Sequence, residues 1–363
     1  MRVASVDVAA VDFSFRMGVG LSKDSGAVSI QPMRVWVLLA WLGLIAGCVH
    51  RGGSRPGEPL MRSGDEIVVA GQLFHTGTRV VTWMDPGGYD AYRVERRFSE
   101  VGVSDWENTA KAGNGPETPN RYGLRKDGLD AAGIERLRGG GWTLPELQER
   151  IDQFVIHFDA SGTSRRCFEI LHDRRGLSVH FMLDHDGTIY QTLDLKERAW
   201  HATTANSRSV GIEIAQAGAF PVHQRRQLEP WYTNDGAGIR LTFPAWLGET
   251  GFATPGFVGH PARPEPIIGK IQDSELIQYD FTPQQYEALA RLTATLNRVL
   301  PKIRIDYPRD GEGKLVPRAL GVEALQSHTG LLGHYHVQKG KVDPGPAFDW
   351  ERVMRDARRA AKR

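Results

Sequence analysis

From Thr143 onward the chain alternates apolar runs with turn signals, and the periods of those runs predict a succession of helices and strands. The stretch "TLPELQERIDQFVIHF" opens with Thr143, Glu146 three residues later and Pro145 in the first turn, which together signal a capped short helix. It passes into Phe154-Val155-Ile156-His157-Phe158, a β-rich run that reads as a buried central strand. The pattern predicts a helix over 164–174 ended by Gly176, then a hairpin with strands at 179–183 and 188–193 around Asp186-Gly187. "SVGIEIA", 209–215, is a further strand. Over 281–300, Thr282 caps, Pro283 sits in the first turn, and Tyr286, Leu289, Leu292, Leu296 and Val299 form an apolar stripe suited to core packing. Residues 331–337 read as a last strand, and a helix starts at Asp349. Strands and helices mixed in this order imply an α/β fold, a central mixed β-sheet flanked by helices.

Three regions lack that regularity. Residues 66–141 are Gly-rich and broken by turns such as "DPGGYDAY", with short strand-like runs such as 66–70 and 79–83, so an irregular, partly β N-terminal extension is expected. Residues 219–278 hold many Pro and Gly and read as a long loop insertion. Near the start, Met33-Arg34 precede a continuous apolar run, 35–46, of the length of a signal-peptide core and too short to cross a bilayer. Ile45-Ala46-Gly47-Cys48 resembles a bacterial lipobox, with Cys48 as the lipidated residue, and "VHRGGSRPGEP" follows as a flexible tether. Residues 1–32 carry Asp7, Asp12 and Asp24 without periodicity, so translation is expected to begin at Met33. The expected organisation is an upstream segment and signal peptide over 1–48, a linker over 49–65, the extension over 66–141, a main domain over 142–355 and a basic tail over 356–363.

Composition narrows the function classes. Among 363 residues, charged side chains make up 24% and the formal net charge is +2, so nothing demands nucleic acid. The cluster Arg352, Arg355, Arg358, Arg359, Lys362 and Arg363 reads as a solvated helix face. Two cysteines are too few for a disulfide framework, and Cys167, with no adjacent base, reads as a small buried hydrophobe.

The closing stretch "GHYHVQKGKVDPGPAFDW", 333–350, gathers imidazoles, ammonium groups and carboxylates in one short run. A catalytic zinc site takes three side-chain ligands and keeps one position open. His157, at the end of a buried strand, is one candidate ligand; His334 and Asp343, nine residues apart with Gly340 and Pro344 between and beside them, are the others. His336 lies at i+2 from His334 and, on a strand, would share its face, so it is an alternative ligand.

"VIHF" at 155–158, "RAWHA" at 198–202, "NSRSVGIEI" at 206–214 and "GHYHVQKGKVDPGPAFDW" together resemble the zinc-dependent type 2 N-acetylmuramoyl-L-alanine amidases, in the family's order and over about 145–355. The resemblance implies Zn2+ held by His157, His334 and Asp343, with Glu213 and Lys341 as catalytic residues. It implies hydrolysis of the amide between N-acetylmuramic acid and L-alanine in peptidoglycan or muropeptides. A non-catalytic peptidoglycan-binding lipoprotein is the alternative. Trp200 and His201 are expected to border the groove, Asn206 and Arg208 to recognise a peptide carboxylate, and His180 to line or support the pocket. The expected protein is a monomeric, exported lipoprotein on the periplasmic side of the cell envelope, held at the outer membrane by its anchor.

Overall fold

The computed structural model describes residues 55–111, 118–236 and 238–362. The apolar run 35–46 and Cys48 lie outside the described residues. No helix among the described residues is long and apolar enough to cross a membrane. Residues Met61–Arg363 form one compact unit.

Its centre is a six-stranded mixed sheet. In spatial order the strands are Gly330–Gly333, Gln153–Phe158, Ser209–Ile214, Phe181–Leu183, Ile189–Gln191 and Val80–Thr82. The first four run parallel, Ile189–Gln191 is antiparallel to Phe181–Leu183, and Val80–Thr82 is parallel to Ile189–Gln191. Strands covered on both faces read as continuous apolar runs, and Phe154, Val155, Ile156, Val210 and Ile212 are all fully buried. The expected α/β architecture is the observed one.

The helices start where local chemistry dictates. Leu144–Arg150 is fixed by the Glu146 carboxylate, which accepts from the Thr143 backbone N–H and hydroxyl at 2.9 and 2.8 Å. Pro283–Val299 begins with Thr282 and Gln285 exchanging reciprocal bonds of 3.1 and 2.9 Å. Its stripe Tyr286, Leu289, Leu292, Leu296 and Val299 is buried against Trp350–Ala361 and the sheet. Each such side chain contributes about 1.5–3 kcal/mol of burial. Trp350–Ala361 is capped by Asp349, which accepts from Arg352 N at 3.0 Å, and it buries Trp350, Val353, Met354 and Ala357.

Two expectations change, and two irregular regions gain detail. The expected helix over 164–174 is α-helical only over Ser164–Phe168 and π-helical over Glu169–Arg174, which turns both His172 and Asp173 inward. The expected strand over 331–337 stops at Gly333, and His334–Val337 is a helical turn. Gly333 marks the break: a Cβ there would lie 2.8 Å from Pro344 and 2.9 Å from the Tyr335 ring. In the partly β 66–141 region both expected runs are strands: Val80–Thr82 forms the sheet edge and Glu66–Val69 pairs with Gln72–His75 beside it. The 219–278 insertion has its own short strands and its own core of Leu228, Trp231, Tyr232 and Leu247. In it Ile267–Ile271 and Ser274–Gln278 form a tight hairpin.

Candidate metal and catalytic site

Three neighbouring parallel strands end at one edge of the sheet, and their carboxyl ends carry the candidate chemistry. In an open α/β sheet that edge is where ligands bind. His157 and Glu213 are register partners on adjacent strands, so both project to the same side. Gly333 closes the third strand, and His334 follows at once.

His157 Nδ1 lies 3.0 Å from His334 Nδ1 and 2.9 Å from Asp343 Oδ2, and His334 Nδ1 lies 3.0 Å from the same oxygen. All three residues are buried. Three bonds of about 2.0–2.1 Å to one zinc ion require donor atoms no more than about 4 Å apart, and this triangle satisfies that. Burial and the neighbouring His334 hold His157 down to about 4 against the pull of Asp343, so its imidazole is neutral, as a ligand must be. Burial raises the Asp343 carboxyl, but hydrogen bonds from His157 and His334 outweigh it and leave the group well below the ordinary range. Among the described residues, His334 Nε2 is buried without a partner. The residues present fit a zinc ion.

Behind the triangle stands a second layer. His157 Nε2 faces His201 Nδ1 at 3.0 Å, and His201 Nε2 faces Ser209 Oγ at 3.3 Å. With Nδ1 directed at an ion, the His157 proton belongs on Nε2 and is donated to His201, which fixes tautomer and ring orientation. The His201 ring lies across Gly211, where a Cβ would come within 2.5 Å of it, so only glycine fits. His180 accepts from Gly211 N at 3.1 Å through Nδ1 and donates to Glu197 O at 3.0 Å through Nε2. Burial and the nearby Arg125 hold it down to about 3, so it supports the wall as a neutral ring.

In front is a cavity of about 250 Å³ lined by the triad, Glu213, Lys341 and Trp200. Burial, then the Asp343 and Asp159 charges, push the Glu213 carboxyl well above the usual range, while Lys341 pulls it back. A carboxyl raised in this way is a stronger base than an ordinary carboxylate, as a group that accepts and returns a proton must be.

Several expected positions differ. His336 is not an alternative ligand: in a helical turn it no longer shares the face of His334. Its Nδ1 accepts from Gly333 N at 2.9 Å and its Nε2 donates to Val316 O at 2.7 Å. Asn206 does not line the cavity; its Oδ1 accepts from His201 N and Ala202 N at 3.1 and 2.6 Å and shapes the turn carrying His201. Arg208 stands just before Ser209, at the far end of that strand, where it forks onto Asp152 and donates to Gln326 O at 2.6 Å. His201 serves the triangle from behind as well as edging the cavity.

The cavity also holds residues not expected in it. Asp159 Oδ1 accepts the N–H groups of Ser161, Gly162 and Gln216 at 3.0–3.1 Å, and burial pushes its carboxyl up to about 7. The turn signal "DASG" was its only mark in the sequence. Cys167 is the buried residue expected, but it lies in the cavity wall, and burial raises its thiol well above the usual range.

The family model described as N-acetylmuramoyl-L-alanine amidase (Amidase_2) matches residues 147–346. No curated protein matches the chain. Among solved structures, a selenomethionine derivative of AmpD is 18% identical, with 65% of this chain and 89% of that chain covered and a TM-score of 0.30. The N-acetylmuramyl-L-alanine amidase AmiD from E. coli, solved with anhydro-N-acetylmuramic acid-L-Ala-D-gamma-Glu-L-Lys, is 16% identical over 57% of each chain, at a TM-score of 0.31. The endolysin amidase LysCS from Clostridium intestinale is 16% identical over 58% of this chain and 86% of its own, at a TM-score of 0.29.

Proposed function

The chain belongs to the N-acetylmuramoyl-L-alanine amidase family, and on that premise we propose that it is a zinc-dependent hydrolase. Its substrate is the amide joining the lactyl group of N-acetylmuramic acid to the L-alanine of a peptidoglycan stem peptide. The observation that supports this most directly is the triangle of His157, His334 and Asp343, with Glu213 one strand away in register.

In this reading His157, His334 and Asp343 hold the ion. Zinc, when bound, polarises the scissile carbonyl and lowers the pKa of water from 15.7 to about 7. Two neutral imidazoles and one carboxylate leave the site a net positive charge, which preserves that effect. Glu213 takes the proton from the attacking water and returns it to the leaving amine. Lys341, at the cavity rim, donates to the oxygen that gains charge in the transition state; one such donor is typically worth about 100- to 1,000-fold in rate. His201 and Ser209 hold the His157 ring still throughout.

The sequence around Cys48 supports an exported enzyme anchored by lipid on the side of the membrane where the wall lies. Labelling with a radioactive fatty acid, with and without Cys48→Ala, tests the anchor separately from the chemistry. The chemistry is tested by mass spectrometry of products from purified sacculi and isolated muropeptides. Free stem peptide is expected with zinc and none after treatment with a chelator; undiminished release from metal-free protein would overturn the zinc mechanism.

A further inference from the structure

The 219–278 insertion reaches the loop that carries two of the three candidate ligands. We propose that it acts as a brace for that loop, with Gln272 and Gln278 as positioning residues; this rests on the zinc amidase reading above.

The loop after His334, "HVQKGKVDPGPA", makes few backbone bonds of its own. They include Gln338 N to His334 O, Lys341 N to Gln338 O, Tyr335 N to Asp343 O and Gly345 N to Val342 O, at 2.8–3.3 Å. The remaining polar groups need partners from elsewhere. Gln272, at the tip of the hairpin formed by Ile267–Ile271 and Ser274–Gln278, turns its amide nitrogen toward Tyr335 O, Gln338 O and Lys341 O at 3.1, 3.3 and 3.3 Å. Its oxygen accepts from Ala319 N at 3.1 Å. Its φ is +55°, as the first central position of a two-residue hairpin turn requires. Gln278, fully buried at the other end of the hairpin, donates to Pro344 O at 3.1 Å and accepts from Ala347 N at 3.0 Å. The two glutamines therefore hold the loop on either side of Asp343.

The surfaces are cut to each other. A Cβ on Gly345 would sit 2.2 Å from Gln278 Oε1, and one on Gly269 would sit 2.8 Å from Pro346 Cβ. The same insertion supports the opposite cavity wall. The Trp231 ring lies on Gly162, where a Cβ would come within 2.2 Å of it. Tyr232 donates its hydroxyl to Gln216 Oε1 at 2.6 Å, and Gln216 N donates to Asp159 at 3.0 Å.

Each glutamine uses both halves of its amide, so the isosteric Gln278→Glu places an oxygen against Pro344 O and loses a donor without changing volume. Gln272→Leu removes the other clamp. The test measures zinc affinity by competition with a chromophoric chelator, the Co(II) absorption spectrum, kcat and KM, and the melting temperature of the zinc-free protein. Expected for each variant are zinc binding weakened by about 10- to 100-fold, the usual effect of losing an outer-layer partner, an altered Co(II) spectrum, and lower kcat with little change in KM. Zinc-free protein should stay folded, with a melting temperature lowered by several degrees because each variant leaves buried backbone groups without a partner. Variants that bind zinc and turn over like wild type would overturn the brace alone, whereas a wild-type protein that binds no zinc would overturn the amidase reading beneath it. Loss of the folded state in both variants would also overturn the brace, since positioning residues leave the compact unit intact.

Discussion

At the scale of single residues, the site separates holding an ion from moving a proton. His157→Ala removes one corner of the triangle and is expected to abolish zinc retention, measured by metal analysis after gel filtration. Glu213→Ala leaves the three donors in place and should retain zinc while lowering kcat by orders of magnitude. A second residue-scale prediction concerns acid. His185 is fully buried, donates through Nε2 to Gly162 O at 3.0 Å, and burial lowers it from 6.5 to about 4. Its folded-state pKa lies below the unfolded value, so its stabilising contribution is complete above pH 6.5 and is lost as pH falls toward 4. The difference in unfolding free energy between wild type and His185→Asn should therefore shrink over that range, by about 1.4 kcal/mol per pH unit, in urea titrations of zinc-free protein. The candidate ligands were legible because their spacing and neighbours carry the chemistry. Asp159 was not, because nothing in the sequence shows that three backbone N–H groups and a cavity wall surround its carboxylate.

At the scale of elements, caps and stripes translated directly. Thr282 both accepts from Gln285 N and donates to His185 O at 2.7 Å, so Thr282→Ala should cost about 1 kcal/mol or more. Thermal unfolding of the variant against wild type measures it. The elements that sequence periodicity misjudged are those in which tertiary contacts override local preference. His334, Tyr335 and His336 follow a strand and have no strong helix signal, yet the close packing at Gly333 bends them into a turn. That bend is what sends His334 toward His157 and His336 toward Val316. Likewise the π-helical segment Glu169–Arg174 follows from burying His172 and Asp173 together, the latter accepting the N–H groups of Arg97 and Phe98 at 3.2 and 2.9 Å.

At the scale of the whole molecule, the N-terminal region is built into the unit it precedes. Arg125 is fully buried and donates to the carbonyls of Leu195, Asn206, Ser207 and Ser209 at 3.0–3.1 Å. Burial lowers its guanidinium to about 9, and carbonyls rather than a carboxylate surround it. No sequence pattern reveals such a cage, which is why the region's role was invisible beforehand. Arg125→Met would leave four carbonyl oxygens without that donor, and unsatisfied buried groups cost about 1–3 kcal/mol each. The variant, or a chain beginning at Thr143, should show a lowered and broadened melting transition by circular dichroism; a transition identical to wild type would contradict this role. Zinc acts at the same scale, since an ion bound only by the folded state raises the melting temperature by mass action. Adding a chelator should lower it.

The outermost strand of the sheet, Gly330–Gly333, also sets an order in time. It delivers His334 and Asp343 to a histidine that was synthesised 177 residues before the first of them. A chain emerging from the ribosome thus carries one of the three donors, His157, long before the other two follow the strand Gly330–Gly333. Ion capture by this triangle therefore waits for that strand, and a product cut short before His334 lacks two of its three donors.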